Sequence, residues 1–458
     1  MPARTVATPP EVAPGLPSPG ERRQGLDACS LLFCYLGLLM ILPARLVVSG
    51  TGFDLTPALL VAFGLGMWWW CAQLVSSQGV AKGHNMVRTG IFFFMVANVA
   101  SYAYGTYHYQ THDALRSMDR STMIIIAVAL VGIFVVDSMY TSDRLDRLLV
   151  YLVNLGAIVA IFGLLQFFVN VNIPGLFGKL PGLRETSTLT LVLDRADFRR
   201  PAASATHPIE FGVIMACLLP LAAHYAFKVT EAAASGRRVH GDARPKWRWA
   251  CVALLAVGAF VSVSRSAILG LIAGGMVLIP TWPVKRRIRT VITVVVFTGL
   301  MRLMVPGLIG TLLSLFRNFG NDDSVAGRTD DYAAVGPLIK DNLWLGIGYG
   351  TYHGGTNGPL DNQYLGSLVE TGLIGVLCLL IMLFAGVVAA QRVRRVSTNP
   401  WTRDLAQSLA AAVVILIVGY ATFDAFAFAI ITGLTFLLVG ACGALLRTAQ
   451  PDTWRPPP

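Results

Sequence analysis

Two arginines have positions that suggest a functional role in a largely apolar chain. The first, Arg265, lies between Ser264 and Ser266, in a turn with no room for a loop between two apolar segments. A guanidinium group at the centre of a bilayer costs about 2.5–3.5 kcal/mol, and less near the interface. Its planar fork of donors suits bidentate contacts with phosphate. We therefore predict that Arg265 binds an anion. The alternative is an interfacial arginine that contacts lipid phosphates or backbone carbonyls.

The second arginine, Arg328, precedes a predicted helix. Thr329 can cap that helix, and Asp330 and Asp331 in its first turn complement the helix dipole, which is a structural role. An anion is favoured at a helix N-terminus, so Arg328 is also well placed to contact one. We predict that the helix ends near Asp341.

Three glycines follow at alternate positions, Gly346, Gly348 and Gly350. Glycine lets the backbone turn sharply or approach a ligand closely, and the sequence leaves both uses open. No strand–helix–strand context surrounds the three residues, so they are not a dinucleotide-binding fingerprint.

A carboxylate at the mouth of an apolar segment could move a proton. Asp361 stands there, followed by Asn362 and Tyr364, and such a carboxylate can act as a general base. The alternative is that Asp361 only caps the incoming helix, because Asp is a favoured residue at that position.

The cysteines point to no metal or redox chemistry. Nearly all of them lie within apolar runs, without a CxxC motif or a Cys/His spacing typical of metal sites. We predict packing roles for them, and neither a metal nor a cofactor. The seven are Cys29, Cys34, Cys71, Cys217, Cys251, Cys378 and Cys442.

The elements that position these residues are transmembrane helices. Of 458 residues, 55% are hydrophobic and 13% charged, and the mean hydropathy is +0.62; a soluble domain is roughly one quarter charged. Apolar runs near the roughly 20 residues of a spanning helix recur from end to end. We predict an all-α integral membrane protein with about twelve spans. They are residues 28–48, 57–75, 90–105, 121–138, 148–170, 208–227, 249–263, 266–283, 290–305, 366–390, 405–423 and 426–446.

The charge distribution predicts the orientation. Most of the 36 Lys and Arg residues fall in alternate loops, which the positive-inside rule assigns to the cytoplasm. The net charge of +11 is therefore a topology signal and not a nucleic-acid patch. We predict a disordered cytoplasmic tail over 1–26, a transmembrane domain over 27–446 and a cytoplasmic tail over 447–458. Asp137 and Asp424 lie near span ends, where we expect water to solvate them.

Two long outer segments, about 171–206 and 306–365, carry the remaining features. The second begins with an amphipathic piece, Leu308 to Phe319, suited to the membrane surface. In the first, Arg199, Arg200 and His207 precede the sixth span, and they could complete a phosphate site or anchor the loop. Glu210 lies inside the apolar run, and we expect it to pair with Arg200 or His207.

Five motifs follow one another in the chain. They are Arg200 with Thr206-His207-Pro208-Ile209-Glu210-Phe211; Ser264-Arg265-Ser266-Ala267-Ile268-Leu269-Gly270; Gly327-Arg328; Leu345-Gly346-Ile347-Gly348-Tyr349-Gly350; and Asp361-Asn362-Gln363-Tyr364-Leu365 with Glu370 and Gly372. In this order they resemble the O-antigen ligase and O-antigen polymerase superfamily of bacterial membrane glycosyltransferases. The similarity in detail covers roughly 200–390, and the twelve-span layout matches over the whole chain.

The resemblance implies a C-type glycosyltransferase fold on the outer face of the bacterial cytoplasmic membrane, with both chain termini in the cytoplasm. Such an enzyme transfers a glycan from a polyprenyl diphosphate carrier to an acceptor, without a metal, a cofactor or a nucleotide sugar. The acceptor is a glycan, a lipid or a wall polymer, and the enzyme is a polymerase or a ligase accordingly. By position, Arg265 and Arg328 would hold the diphosphate, with Arg200 and His207 completing the site.

One motif departs from the family. The family has a His before the Asn as general base, and this sequence has Asp361 there. Three alternatives follow: Asp361 is the base, His353 eight residues earlier is the base, or activity is lost. A carboxyl with a pKa near ~3.9 is a poor base at neutral pH unless burial raises that pKa.

Two other classes of function are alternatives to a glycosyltransferase. A transporter would be expected to have internal repeats with broken helices near the midplane, and the sequence shows no convincing repeat. A non-catalytic partner of a polysaccharide assembly system is the second alternative, since the usual His is missing.

Overall fold

The structure is a computed structural model, and it describes residues 28–50, 54–74, 83–108, 110–186, 193–195, 198–236, 244–317, 332, 335–352 and 360–449. The described chain is almost entirely helical, as predicted. The helices are α1 (Ala28–Ile41), α2 (Pro57–Leu74), α3 (Met86–Tyr107), α4 (His112–Ser138), α5 (Ser142–Val169), α6 (Ile173–Phe177), α7 (Pro208–Ala234), α8 (Pro245–Val261), α9 (Arg265–Leu278), α10 (Val284–Met304), α11 (Leu308–Arg317), α12 (Gln363–Val396), α13 (Pro400–Tyr420) and α14 (Ala429–Ala449).

Each of the twelve predicted spans overlaps a described helix. Eight described helices are long and apolar enough to cross a membrane: α2, α3, α4, α5, α7, α12, α13 and α14. The other four, α1, α8, α9 and α10, do not meet both criteria of length and apolar content. The described part of the chain is therefore an all-α integral membrane protein with at least eight candidate spans.

The first predicted span, 28–48, is too long. Helix α1 ends at Ile41, two residues before Pro43, which lacks a backbone N–H and restricts the residue before it. The chain then forms strand β1 (Leu46–Val48), which pairs antiparallel with strand β2 (Leu183–Glu185) of the first long outer segment. The second described strand pair joins β3 (Leu193–Arg195) to β4 (Phe198–Arg200). The β1–β2 pair joins the chain after the C-terminal end of α1 to a segment far along the sequence.

Helix α14 lies at the centre of the bundle, almost wholly buried, against α4, α12 and α13. Small residues allow the close approach to α4. A Cβ added to Gly440 would lie 2.6 Å from the carbonyl oxygen of Gly132, and one added to Gly132 would lie 2.9 Å from that of Phe436. Such backbone proximity is the packing that helices use in lipid, where hydrophobic burial between helices contributes little.

Helix α12 is broken at Gly372, whose backbone angles of φ 64° and ψ −167° are not helical. The backbone groups that the break leaves without a helical partner bond to the preceding segment. The N–H of Ile347 donates to the carbonyl of Val369 at 2.9 Å, and the N–H of Leu373 donates to that of Leu343 at 2.8 Å. Irregular backbone inside a membrane bundle is tolerated when protein satisfies it in this way.

The prediction that water solvates Asp137 and Asp424 is wrong, because both residues are buried. Asp137 accepts hydrogen bonds from Arg447 at 3.0 Å, Arg88 at 3.2 Å and the Trp69 indole at 3.0 Å. These partners come from α14, α3 and α2. A buried carboxylate in a membrane bundle requires such partners, so Asp137 joins helix ends.

Candidate functional site

The N-terminus of α7 forms one wall of the site. His207 is the cap residue, and its Nδ1 accepts from the N–H of Ile209 at 3.1 Å. Three residues on, fully buried Glu210 accepts from the N–H and hydroxyl of Thr206 through one oxygen. Its other oxygen accepts from the N–H groups of Ile430 and Ile431 at 2.9 and 3.2 Å, in the first turn of α14. A carboxylate in this position stabilises a helix N-terminus.

The expected pairing of Glu210 with Arg200 or His207 is therefore wrong. Both carboxylate oxygens bond to Thr206 and to the α14 backbone. The reason is local: a buried helix N-terminus presents several N–H donors, and one carboxylate satisfies two of them.

Arg200 connects the first outer segment to the turn that carries Arg265. Arg200 is buried, and its Nε donates to the carbonyl of Ser262 at 3.2 Å. Between α8 and α9 the chain turns sharply, with Val263 at φ 46°, and Ser264 caps α9 by accepting from the N–H of Ala267. Arg265 is the first residue of α9, half-buried, with its Nε and Nη2 atoms buried.

A third arginine, Arg45, lies in the same region; it falls inside the first predicted span, 28–48. Its Nη2 donates to the carbonyl of Thr206 at 2.7 Å. A backbone hydrogen bond joins the same two segments, since the N–H of Ala44 donates to the carbonyl of Ser204 at 2.9 Å. The sequence signal was a cation near the end of the first predicted span, 28–48.

The environment of His207 is cationic. Burial, followed by the positive charges of Arg200 and Arg45, lowers the pKa of His207 to about 4. The imidazole is therefore neutral at neutral pH. A neutral His207 leaves the positive charge at this end of the bundle on Arg200 and Arg45.

Asp361 lies at the N-terminus of α12, at the same end. The cap of α12 is Asn362, whose side chain accepts from the N–H groups of Tyr364 and Leu365. The alternative that Asp361 caps this helix is thus wrong. Asp361 itself is half-buried, directly before the cap.

The segment 421–428 connects Asp361 to the α7 wall. Buried Gln363 accepts from the N–H of Phe426 at 2.6 Å and donates its own N–H to the carbonyl of Phe423 at 3.2 Å. Two residues beyond Phe426, the ring of Phe428 lies 5.9 Å from that of His207. Asp361 and the cationic residues therefore belong to one end of the bundle, on either side of this segment.

The three alternate glycines contact protein backbone. Gly346, at φ 68°, faces the break in α12: an added Cβ would lie 2.6 Å from the backbone nitrogen of Thr371. Gly348 and Gly350, at φ 110° and 82°, approach α3 and α4. Of the two uses that the sequence left open, sharp turning and close approach to a ligand, the structure shows turning and close approach to other parts of the chain. The glycines position the segment that leads to Asp361.

Buried polar residues contact the glycine-containing segment, residues 345–352. The Glu370 side chain accepts from the N–H of Tyr352 at 3.2 Å, and its carbonyl accepts from Ser101 at 2.7 Å. Burial raises the pKa of Tyr349, and the negative charges of Glu370 and Asp424 raise it further. The phenol therefore stays protonated. Sequence reasoning named Glu370 only as part of a motif and did not single out Tyr349.

Arg328 and His353 lie outside the described residues, together with Thr329, Asp330 and Asp331. The helix predicted to end near Asp341 is present at residues 335–341. Helix α11 confirms the amphipathic piece as far as Arg317, with Leu308 and Leu312 buried against Val263 and Val305. Among the described residues, no group of three or more His, Cys, Asp or Glu side chains is arranged to hold a metal ion.

Residues 250–380 match the family model described as O-antigen ligase. Over these residues the chain is similar to the O-antigen ligase superfamily, as the motifs predicted. The match to the O-antigen ligase family contains Arg265, Arg328, His353 and Asp361, whereas Arg200 and His207 precede it. No curated protein matches the chain.

Proposed function

We propose that this protein transfers a glycan from a polyprenyl diphosphate carrier to an acceptor hydroxyl. The reaction would take place on the outer face of the bacterial plasma membrane, with both chain termini in the cytoplasm, and would serve cell-surface or exopolysaccharide assembly. The protein acts as a polymerase if the acceptor is a lipid-linked repeat. It acts as a ligase if the acceptor is a lipid core or a wall polymer.

The observation that carries the proposal is the hydrogen bond from Arg200 to Ser262. It joins the segment holding Arg200 and His207 to the turn holding Arg265. In the same region, Arg45 and Arg200 both act electrostatically on His207. The N-terminal end of α7 is therefore surrounded by positive charge. Arg265 lies within residues 250–380, which match the O-antigen ligase family model.

Guanidinium groups suit the leaving group of this reaction. The acceptor oxygen forms a bond to the anomeric carbon, while the bond from that carbon to the diphosphate oxygen breaks and its electron pair goes to the diphosphate. Fixed donors in a partly dehydrated site stabilise that developing charge. The donor itself carries the energy for the step, so no nucleotide is needed, and a metal is unnecessary if Arg265 and Arg328 supply the positive charge. A single displacement inverts the anomeric centre.

The acceptor proton requires a base, which we assign to Asp361 or His353. Asp361 is supported by its position: it is half-buried, it precedes the cap Asn362, and it does not cap α12 itself. His353 lies in the same outer segment, eight residues earlier in the chain. Variants of the two residues distinguish these assignments.

One observation favours a transporter as the alternative: α12 is broken at Gly372. Transporters use such breaks to line a substrate path. Here the freed backbone groups at Val369, Glu370, Leu373 and Ile374 bond to residues 343–348, so protein fills the break. The glycosyltransferase remains the better-supported function.

The deciding experiment is a profile of surface glycan and lipid-linked carrier in a strain lacking the protein. Short lipid-linked repeats should accumulate if it is a polymerase, and long lipid-linked chains if it is a ligase. Complementation with the wild-type chain should restore the glycan. Normal glycans together with a defect in solute uptake would favour the transporter.

A further inference from the structure

A cavity of about 420 Å³ lies at the end of the bundle opposite the candidate site. It is formed where α7 ends, α10 begins, α12 ends and α13 begins. Phe227 on α7 lines it, about 30 Å along that helix from His207 by the helical rise. Trp282, Arg286 and Trp401 also line it. It is therefore separate from the site proposed for glycan transfer.

Arg286 is held at the wall of this cavity in a fixed orientation. Its Nη1 donates to Asp404 at 2.9 Å, and its guanidinium carbon lies 3.7 Å from the ring centre of Phe227 and 4.0 Å from that of Trp282. The side chain is 10% exposed. Its Nε and Nη2 atoms are buried and have no hydrogen-bond partner in the described part of the chain, and the same is true of the Trp282 indole nitrogen.

The network behind Arg286 fixes it further. His224 is buried, and its Nδ1 lies 2.7 Å from the second oxygen of Asp404. One carboxylate thus holds both an arginine and a histidine. The donors of Arg286 that Asp404 does not use are those left for a ligand, and buried donors without partners favour an acceptor.

The residues that line the cavity carry a net positive charge, which favours an anionic ligand. Glu231 and Asp404 contribute the negative charge, and Asp404 is already bonded to Arg286. The positive charge is greater, with Arg289 and Arg403 exposed at the rim. The cations of the lining are Lys285, Arg286, Arg289, Arg394 and Arg403.

Helix α10, which forms one wall, exposes an apolar stripe that begins beside the cavity. Ile288, Ile292 and Val295 are 55%, 56% and 65% exposed, and their spacing places them on one face. In a membrane protein such a face contacts acyl chains. The indoles of Trp282 and Trp401 are typical of the interface between water and hydrocarbon.

We propose that this cavity binds the phosphate of an anionic phospholipid headgroup, with the acyl chains along α10. Arg286 and the indole of Trp282 donate to the phosphate oxygens, and Arg289 and Arg403 attract the negative headgroup from the rim. The shared chemistry is a phosphate oxyanion, and the apolar stripe of α10 favours a lipid as its source over a soluble phosphate.

The test is a lipid titration of the full-length protein in detergent, followed by native mass spectrometry. The probes are phosphatidylglycerol and phosphatidylcholine with identical acyl chains, and inorganic phosphate as a competitor. Wild-type protein should retain phosphatidylglycerol preferentially. The double variant Arg289→Gln/Arg403→Gln should bind it about thirtyfold more weakly, since each cation near the surface contributes about fivefold.

The matched control is Arg392→Gln/Arg395→Gln, which removes two exposed arginines from the C-terminal end of α12, at the same end of the bundle as the cavity. Neither arginine lines the cavity. This variant should bind phosphatidylglycerol as the wild type does. Equal losses in the two double variants, or equal retention of both lipids by the wild type, would overturn the proposal. Displacement of the lipid by millimolar inorganic phosphate would overturn the lipid as the source.

Arg286→Gln tests the buried contact. It should lose phosphatidylglycerol binding more completely than the rim variant, while Arg286→Lys recovers only part of it, because an ammonium group lacks the guanidinium fork. A melting-temperature measurement shows whether each variant is folded. If Arg286→Gln does not fold, the rim variant and its control still decide the matter, because both change exposed side chains.

Discussion

Arg200 donates from Nε to the carbonyl oxygen of Ser262, 62 residues further along the chain, at 3.2 Å. The bond fixes the turn between α8 and α9 against the outer segment before α7. Arg265 begins α9 three residues after Ser262. Arg200 therefore anchors its loop, which was one of the two roles predicted from the sequence. The same hydrogen bond helps to position Arg265.

If Arg265 and Arg328 stabilise a diphosphate leaving group, Arg265→Ala and Arg328→Ala should each lower the rate of glycan transfer about a hundredfold or more, the usual effect of removing one fixed donor. The protein should still accumulate in the membrane. Transfer is measured with purified variants and a lipid diphosphate-linked donor. Arg302→Ala is the control, since Arg302 is exposed in the last turn of α10. Wild-type polymer yield from both test variants would remove the diphosphate role.

The base is identified by a pair of variants. Asp361→Asn keeps the shape of the side chain and removes its basicity, and it leaves the α12 cap at Asn362 in place. We expect it to abolish transfer without changing the melting temperature, if Asp361 is the base. His353→Ala should then retain activity. The reverse result, with loss only in His353→Ala, would move the assignment to His353. Activity in both variants would contradict each assignment.

The helices could be predicted from the sequence because length and hydropathy determine them. Apolar runs near bilayer length can form backbone hydrogen bonds only within themselves, so each predicted span became a helix. The first span was overextended because Leu46, Val47 and Val48 are as apolar as the helix before them. Their pairing with residues 183–185 is a long-range contact, and hydropathy carries no information about it.

The site was only partly predictable. Arg200, Arg265 and Asp361 could be singled out as candidates from the sequence because a charge at the mouth of a membrane bundle is costly and therefore informative. Arg45 was missed because a cation near a span end is common, and only the fold places it against Thr206. The contact of Gly346 with α12 could not be predicted either, since a glycine pattern does not say which backbone it approaches.

His207 gives a prediction for acid stability. Its pKa in the folded protein, about 4, lies below that of the unfolded chain, about 6.5. Between these values the unfolded state binds more protons, so stability rises with pH and is lost as the pH falls through this window. His207→Asn, which keeps a good cap residue, should therefore lose less stability than wild type between pH 6.5 and 4. Thermal unfolding in detergent across this range measures the difference.

The control for that experiment is His112→Asn, which changes an exposed histidine in the first turn of α4. It should follow the wild-type profile. If His207→Asn also follows the wild-type profile, then burial and the positive charges of Arg200 and Arg45 do not lower the pKa of His207.

The break in α12 predicts which glycines the fold requires. A Cβ on Gly372, at φ 64°, would lie 2.6 Å from the backbone nitrogen of Leu345, which cannot move aside as a flexible side chain could. Gly372→Ala should destabilise the protein by about 1–3 kcal/mol from backbone strain alone, and more through the clash. Gly366→Ala, in the same helix with nothing within 4 Å of the added Cβ, should leave the melting temperature unchanged or raise it. Equal melting temperatures for the two variants would mean that residues 343–348 do not pack into the break.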